Sequence, residues 1–150
     1  MNSPADLECP ESSPFAELAS NLLARDVMVC GITSVECDAP LVEAASLMLQ
    51  KKITGLPVVH QESLIGMLSD KDLLRNFSEV TYLPGRVEDY MTNKIVTFDV
   101  EDRFVDICRY LSGTSFRRVP ILREQKLAGM ITRSDLIRAF LKILQIFLSI

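Results

Sequence analysis

The sequence predicts an α+β fold built by duplicating one unit, and three observations carry that expectation. A shift of 63 residues lays the chain on itself in unbroken register, pairing Asp26 with Asp89, Met28 with Met91, Pro57 with Pro120, Gly66 with Gly129 and Asp72 with Asp135. Over residues 26–77 this register gives 12 identities, about 23%, several times what unrelated sequences of ordinary composition share. In each copy, two short apolar runs flank a polar turn and end at a helix start, the pattern of a β-hairpin feeding a helix. A hydrophobic content of 48% and a mean hydropathy of +0.20 over 150 residues fit a well-buried domain. Copies of about 60 residues would each bury too little surface alone, so the halves are expected to pack as one unit.

Residues 1–13 are rich in Pro, Ser and acids and read as a tail. Ser13 and Pro14 supply an N-cap and an N1 proline. Phe15, Leu18, Ala19, Leu22 and Leu23 follow at helical spacing, predicting an amphipathic helix over Pro14–Ala24 within an N-terminal segment 14–25. The first repeat spans 26–78. Ile32–Glu36 alternates as a strand, and Asp38-Ala39-Pro40 opens a helix with Leu41, Ala44, Ala45 and Met48 on one face. Lys51-Lys52 closes it favourably for its dipole. Thr54–Val59 and Leu64–Leu68 read as strands around a turn at Gln61–Ser63, and Ser69 opens a helix ending near Phe77. A linker over 79–88 carries Pro84-Gly85.

The second repeat, 89–150, follows the same plan: strand Ile95–Asp99, helix Asp102–Ser112, strands Val119–Leu122 and Leu127–Ile131, and a helix opening at Thr132. That last helix is apolar on almost every side after Ile143. It is too short for a bilayer and carries Arg138 and Lys142, so it is expected in a dimer contact.

The net charge of −4 argues against general nucleic-acid binding, which needs a broad basic face. Positive charge gathers instead between Phe116 and Arg138, where six basic residues stand against two acids. The four cysteines (Cys9, Cys30, Cys37, Cys108) form no C-x-x-C, and His60 is the single histidine, so no zinc site is expected. Reduced thiols and the lack of a visible signal peptide predict a cytoplasmic location. Cys30 or Cys37 with His60 would be the one Cys–His nucleophile pair, supported by residue type alone. With no P-loop and no metal cluster, neither catalysis nor a catalytic cofactor is expected.

The paired starts DVM and DYM, the proline strands GLPVV and RRVPIL, and the turns GMLSDKDL and GMITRSDL together resemble the CBS domain, here as a tandem pair or Bateman module, over about residues 22–147. The family's signature, Gly, two apolar residues, Thr or Ser, two of any type, then Asp, is met twice. The resemblance implies two β-α-β-β-α repeats packed about a pseudo-two-fold axis, two clefts between them, and pairing into flat homodimers. It implies that Asp135 and Thr132 in one cleft, and Asp72 and Ser69 in the other, hold ribose and phosphate of an adenosyl ligand. A carboxylate suits a vicinal diol because it accepts two donors at once. Arg118-Val119 and Gly55-Leu56, just before the strand prolines, would line the adenine pocket through backbone N–H and C=O groups, with Pro57 and Pro120 among the ligand-binding residues beside them. Thr33, Ser34, Val96 and Thr97 would complete it.

The position three before the proline is Arg117 in the second repeat and Thr54 in the first. The expected nucleotide cleft is therefore Asp135, Thr132, Arg117 and Arg118, with the Asp72/Ser69 cleft weaker or suited to an uncharged adenosyl group. Ser/Thr-x-x-Asp is equally a helix cap with no ligand, and Pro57 and Pro120 equally mark edge strands. The function expected is regulatory: sensing an adenosine-containing nucleotide such as AMP, ADP or ATP and transmitting a conformational or dimer-packing change, with an effector protein as a further partner. A dimerisation scaffold with degenerate clefts, or a regulatory fragment of a larger enzyme, transporter or channel, are the alternatives.

Overall fold

The computed structural model describes residues 14–77 and 85–149; the tail, the Ser13 cap, linker residues 79–84 and Ile150 lie outside them. In chain order the elements are α1 (Pro14–Ser20), α2 (Ala24–Val27), β1 (Val35–Glu36), α3 (Leu41–Lys51), β2 (Gly55–His60), β3 (Ser63–Ser69) and α4 (Asp70–Phe77). A 3-10 turn (Val87–Asp89) precedes β4 (Phe98–Asp99), α5 (Phe104–Ser112), β5 (Arg118–Arg123), β6 (Lys126–Thr132) and α6 (Arg133–Leu148). The strands form one sheet in the order β1-β2-β3-β6-β5-β4. Its two halves meet at the single pair Ser63↔Lys126, two residues that are equivalent under the 63-residue shift, so the pseudo-two-fold axis passes between them.

Several elements differ from expectation. The N-terminal helix stops at Ser20 instead of Ala24. Backbone groups of the next residues are claimed elsewhere: Leu22 O accepts from Phe104 N–H at 2.9 Å, and Leu23 bridges Arg103. The Asp26 carboxylate then accepts from Leu23 N–H at 2.8 Å and opens the fresh turn α2. The first strand of each repeat shortens to two residues, because only Val35–Glu36 and Phe98–Asp99 find parallel partners in β2 and β5.

Pro57 and Pro120 are not on edge strands. Each stands one residue before the stretch that the short outer strand pairs, at Val58 and Ile121, so the missing N–H costs no ladder bond. The same shortness leaves the start of β2 and of β5 open on one side.

The sequence repeats are not the packing units. Residues 24–28 fill the core of the second half, where Ala24, Val27 and Met28 meet Phe104, Ile107, Ile121 and Ile131. Residues 87–91 do the same for the first half, where Val87, Tyr90 and Met91 meet Leu41, Leu56 and Leu68. The backbone follows the exchange, since Val29 pairs with Met130 and Met67 with Thr92. No helix among the described residues is long and apolar enough to cross a membrane.

Candidate functional site

Each signature aspartate sits in a capping box. Thr132 N–H and hydroxyl donate to Asp135 Oδ2 at 2.8 and 2.9 Å, while Asp135 N–H returns a bond to Thr132 Oγ1 at 3.2 Å. Ser69 and Asp72 repeat this at 2.9, 3.0 and 3.2 Å. Such a cap orders the first helical turn with or without a ligand. It also holds a carboxyl group at 4% (Asp72) and 8% (Asp135) exposure, with Oδ2 committed and Oδ1 turned to other partners. Thr92 hydroxyl donates to Asp72 Oδ1 at 3.1 Å, and Arg138 binds Asp135 Oδ1 at 2.8 Å.

Because residues 28–29 and 91–92 cross between halves, each cleft joins the signature of one repeat to the front of the other. Thr132 and Asp135 face Val29, Ile32, Thr33, Thr54, Gly55 and Pro57 across a cavity of about 390 Å³. Ser69 and Asp72 face Thr92, Ile95, Val96, Phe116, Arg118 and Pro120. An outer lobe of this second cleft carries Arg117 with Lys71, Arg75 and Asp70.

The expected grouping of Arg117 with Thr132 and Asp135 is therefore corrected: Arg117 lines the Ser69/Asp72 cleft. Arg118 lines both. Val96 and Pro120 likewise stand with Asp72, and Thr33 and Pro57 with Asp135. Leu56 and Val119 are buried in the two cores, so their side chains are withheld from either cleft and only backbone groups remain to offer.

Residues not foreseen from the motif include Ile32 and Ile95, Met67 and Met130, Val29 and Thr92, and Phe116. Ile32/Ile95 and Met67/Met130 are identical between copies, a signal present in the repeat itself.

Arg118 crosses the axis. Its Nη2 donates to Thr54 Oγ1, and its guanidinium covers Gly55, where a Cβ would collide with it. Burial pulls its pKa below the usual arginine range; Asp70 opposes that shift and Arg117 adds to it. Cys37 Sγ lies 3.7 Å from His60 Nδ1. Burial, then Glu88, pushes the Cys37 thiol up, the opposite of what a nucleophile needs. Among the described residues no group of His, Cys, Asp and Glu could hold a metal ion.

The family model described as CBS domain matches residues 24–79 and 87–142. The protein YhcV of Bacillus subtilis is 30% identical over 113 residues, 75% of this chain and 81% of its own length. The chain spans only 43% and 39% of the first two curated relatives it matches, the proteins MJ1225 and MJ1232 of Methanocaldococcus jannaschii, which are 28% and 25% identical over 80% and 79% of it. A crystal structure of CBSX2 in complex with AMP superposes with a TM-score of 0.72 at 32% identity, covering 81% of this chain and 97% of the other. With two matches that fall on the two halves of one sheet, this chain belongs to the CBS-domain family and carries the domain as a tandem pair.

Proposed function

We propose that the chain is a regulatory module that binds an adenine nucleotide (AMP, ADP or ATP) in the Ser69/Asp72 cleft, not in the Thr132/Asp135 cleft that Arg117 and Arg118 favour when grouped by repeat. One observation carries this reading: that cleft runs from an apolar recess, through a buried carboxylate, to a rim with four cations. Ile95, Val96, Tyr110 and Phe116 suit a flat base, and Asp72 suits the ribose hydroxyls. Lys71, Arg75, Arg117 and Arg118 suit phosphate, and they outweigh Asp70 and Asp72.

The AMP bound by CBSX2 supports the same ligand class. Regulation needs a state that the ligand prefers. The two halves of the sheet share one strand pair, so a ligand that bridges them can bias their relative position. The chain would act through an effector protein and not as an enzyme.

Calorimetry and thermal unfolding against AMP, ATP, S-adenosylmethionine and NADH test this. AMP or ATP is expected to bind and raise the Tm; no response to any adenosyl compound at millimolar concentration overturns the reading.

A second reading, a homodimeric scaffold, is favoured by Ile137, Leu141, Ile146 and Leu148, all exposed on α6. It predicts a dimer by light scattering that nucleotide leaves unchanged.

A further inference from the structure

We propose that Arg118 is a shared cation coupling the two clefts: an anion in the Ser69/Asp72 cleft draws its guanidinium off Thr54 and Gly55, opening the Thr132/Asp135 cleft to an uncharged nucleoside and leaving it poorer for a second anion. This rests on the nucleotide reading above and adds a rule for how the two sites speak to each other.

Positions 55 and 118 are equivalent under the 63-residue shift and oppose each other across the pseudo-axis. Two arginines there would repel, and two glycines would supply no charge. With Gly55 and Arg118, one guanidinium lies between two sites and lines both. Its side-chain hydrogen bond goes to a neutral hydroxyl, that of Thr54. A guanidinium has five N–H donors, so that one bond leaves most of its capacity unused. Burial disfavours its charge, and Asp70 on the rim of the Ser69/Asp72 cleft draws it.

A phosphate beside Arg117 would replace the neutral bond with charge-assisted ones, which are about twice as strong. Moving there uncovers the Gly55 backbone on the opposite cleft and frees the Thr54 hydroxyl, which lines both. What remains among the residues lining the Thr132/Asp135 cleft is one cation, Lys52, against the Asp135 carboxylate. A neutral ligand gains space from this change, and a second phosphate loses a partner.

The test uses the full chain and compares two first occupants. With AMP or adenosine saturating the first cleft, adenosine is titrated into the second by calorimetry. The expected result is one further equivalent, bound about fivefold or more tightly when AMP is the first occupant, the lower range of known site–site couplings. In Arg118→Ala, which has already cleared Gly55, the two affinities should be equal. Thr54→Val loses only a hydroxyl and serves as the companion variant. It frees Arg118 and should tighten AMP by about two- to tenfold, the net worth of one hydrogen bond. Equal second-site affinities in the unaltered chain, or adenosine that does nothing but displace AMP, overturn the coupling and leave nucleotide sensing standing. Absence of binding by AMP and by every other adenosyl compound takes both down.

Discussion

Superposed through the 63-residue shift, the two clefts are one surface with a different front half. At the signature the back half is near constant: Met67 and Asp72 answer to Met130 and Asp135, and Ser69 to Thr132, while Asp70 and Lys71 stand where the other copy has Arg133 and Ser134. The front half diverges, with Thr92 for Val29, Val96 for Thr33, Phe116 for Ile53, Arg117 for Thr54 and Arg118 for Gly55. Arg117 and Arg118 belong to the repeat of Asp135 yet line the cleft of Asp72, Arg118 lining the other cleft as well, while Lys52, whose counterpart is Ser115, lines the cleft of Asp135. Duplication preserved the part that caps a helix and builds the fold. Variation was free where backbone at the start of β2 and β5 faces open space. The difference therefore teaches that a repeat's signature says where a ligand sits, while part of its charge preference, here Arg117 and Arg118, is written in the other repeat.

The largest effects should come from testing that crossing. Arg117→Ala removes a charge-assisted phosphate contact, worth about 1.5–3 kcal/mol, so AMP affinity should fall about 10- to 100-fold. Asp72→Asn should weaken AMP by a similar factor, because an amide cannot accept two charge-assisted bonds from a diol. Asp135→Asn should leave AMP affinity within about twofold, since surrounding contacts of the other cleft are untouched. Calorimetry on the three variants reads this directly. The reverse ranking, with Asp135 decisive and Asp72 indifferent, would return the nucleotide to the cleft expected from the repeat that carries the arginines.

Smaller but still clear losses should follow from filling the crossing points. A Cβ on Gly66 would meet Met91 Sδ at 2.9 Å and Thr92 O at 2.9 Å. One on Gly129 would meet Met28 Sδ at 2.6 Å and Val29 O at 3.0 Å. The methionine ends can yield, but the carbonyls belong to the bridged backbone. Gly66→Ala and Gly129→Ala should each cost about 1–3 kcal/mol in urea unfolding, as overpacked sites do. A cost at one glycine and none at the other would break the equivalence of the two crossings.

The fold class, the hairpin-to-helix turns and the capping boxes were legible in the sequence, because each rests on local chemistry. Thr132 with Asp135 is an example: three residues apart, they decide a helix start without help from the rest of the chain. The boundaries of the outer strands were not legible, since a strand ends where its partner ends. Ile32–Ser34 alternate well enough, yet only Val35 and Glu36 find β2. Nor was the partnership of Arg117 with Asp72 legible. Both lie in matching motifs of different copies, and nothing within one copy reports that 28–29 and 91–92 pair across the axis. The identities at Met67/Met130 and Ile32/Ile95 hinted at cleft positions but not at which half they would serve.

The smallest expected effect separates the two carboxylates themselves. Thr92 hydroxyl donates to Asp72 Oδ1 at 3.1 Å, whereas its counterpart Val29 has nothing to donate. Arg138 compensates on that side at 2.8 Å, closer than the 3.8 Å between Arg75 and Asp72. Thr92→Val keeps shape and removes one donor to a buried carboxylate, so it should cost about 1 kcal/mol. Val29→Thr adds a donor beside an oxygen that Arg138 already holds, at a position 51% exposed, and should change stability by less than about 0.5 kcal/mol. A double-mutant cycle of Thr92→Val with Asp72→Asn isolates the bond, because the two residues touch and no distant repacking need enter. A coupling near zero would mean that the Thr92 hydroxyl does not hold Asp72 Oδ1. The asymmetry between the clefts would then rest on the arginines alone.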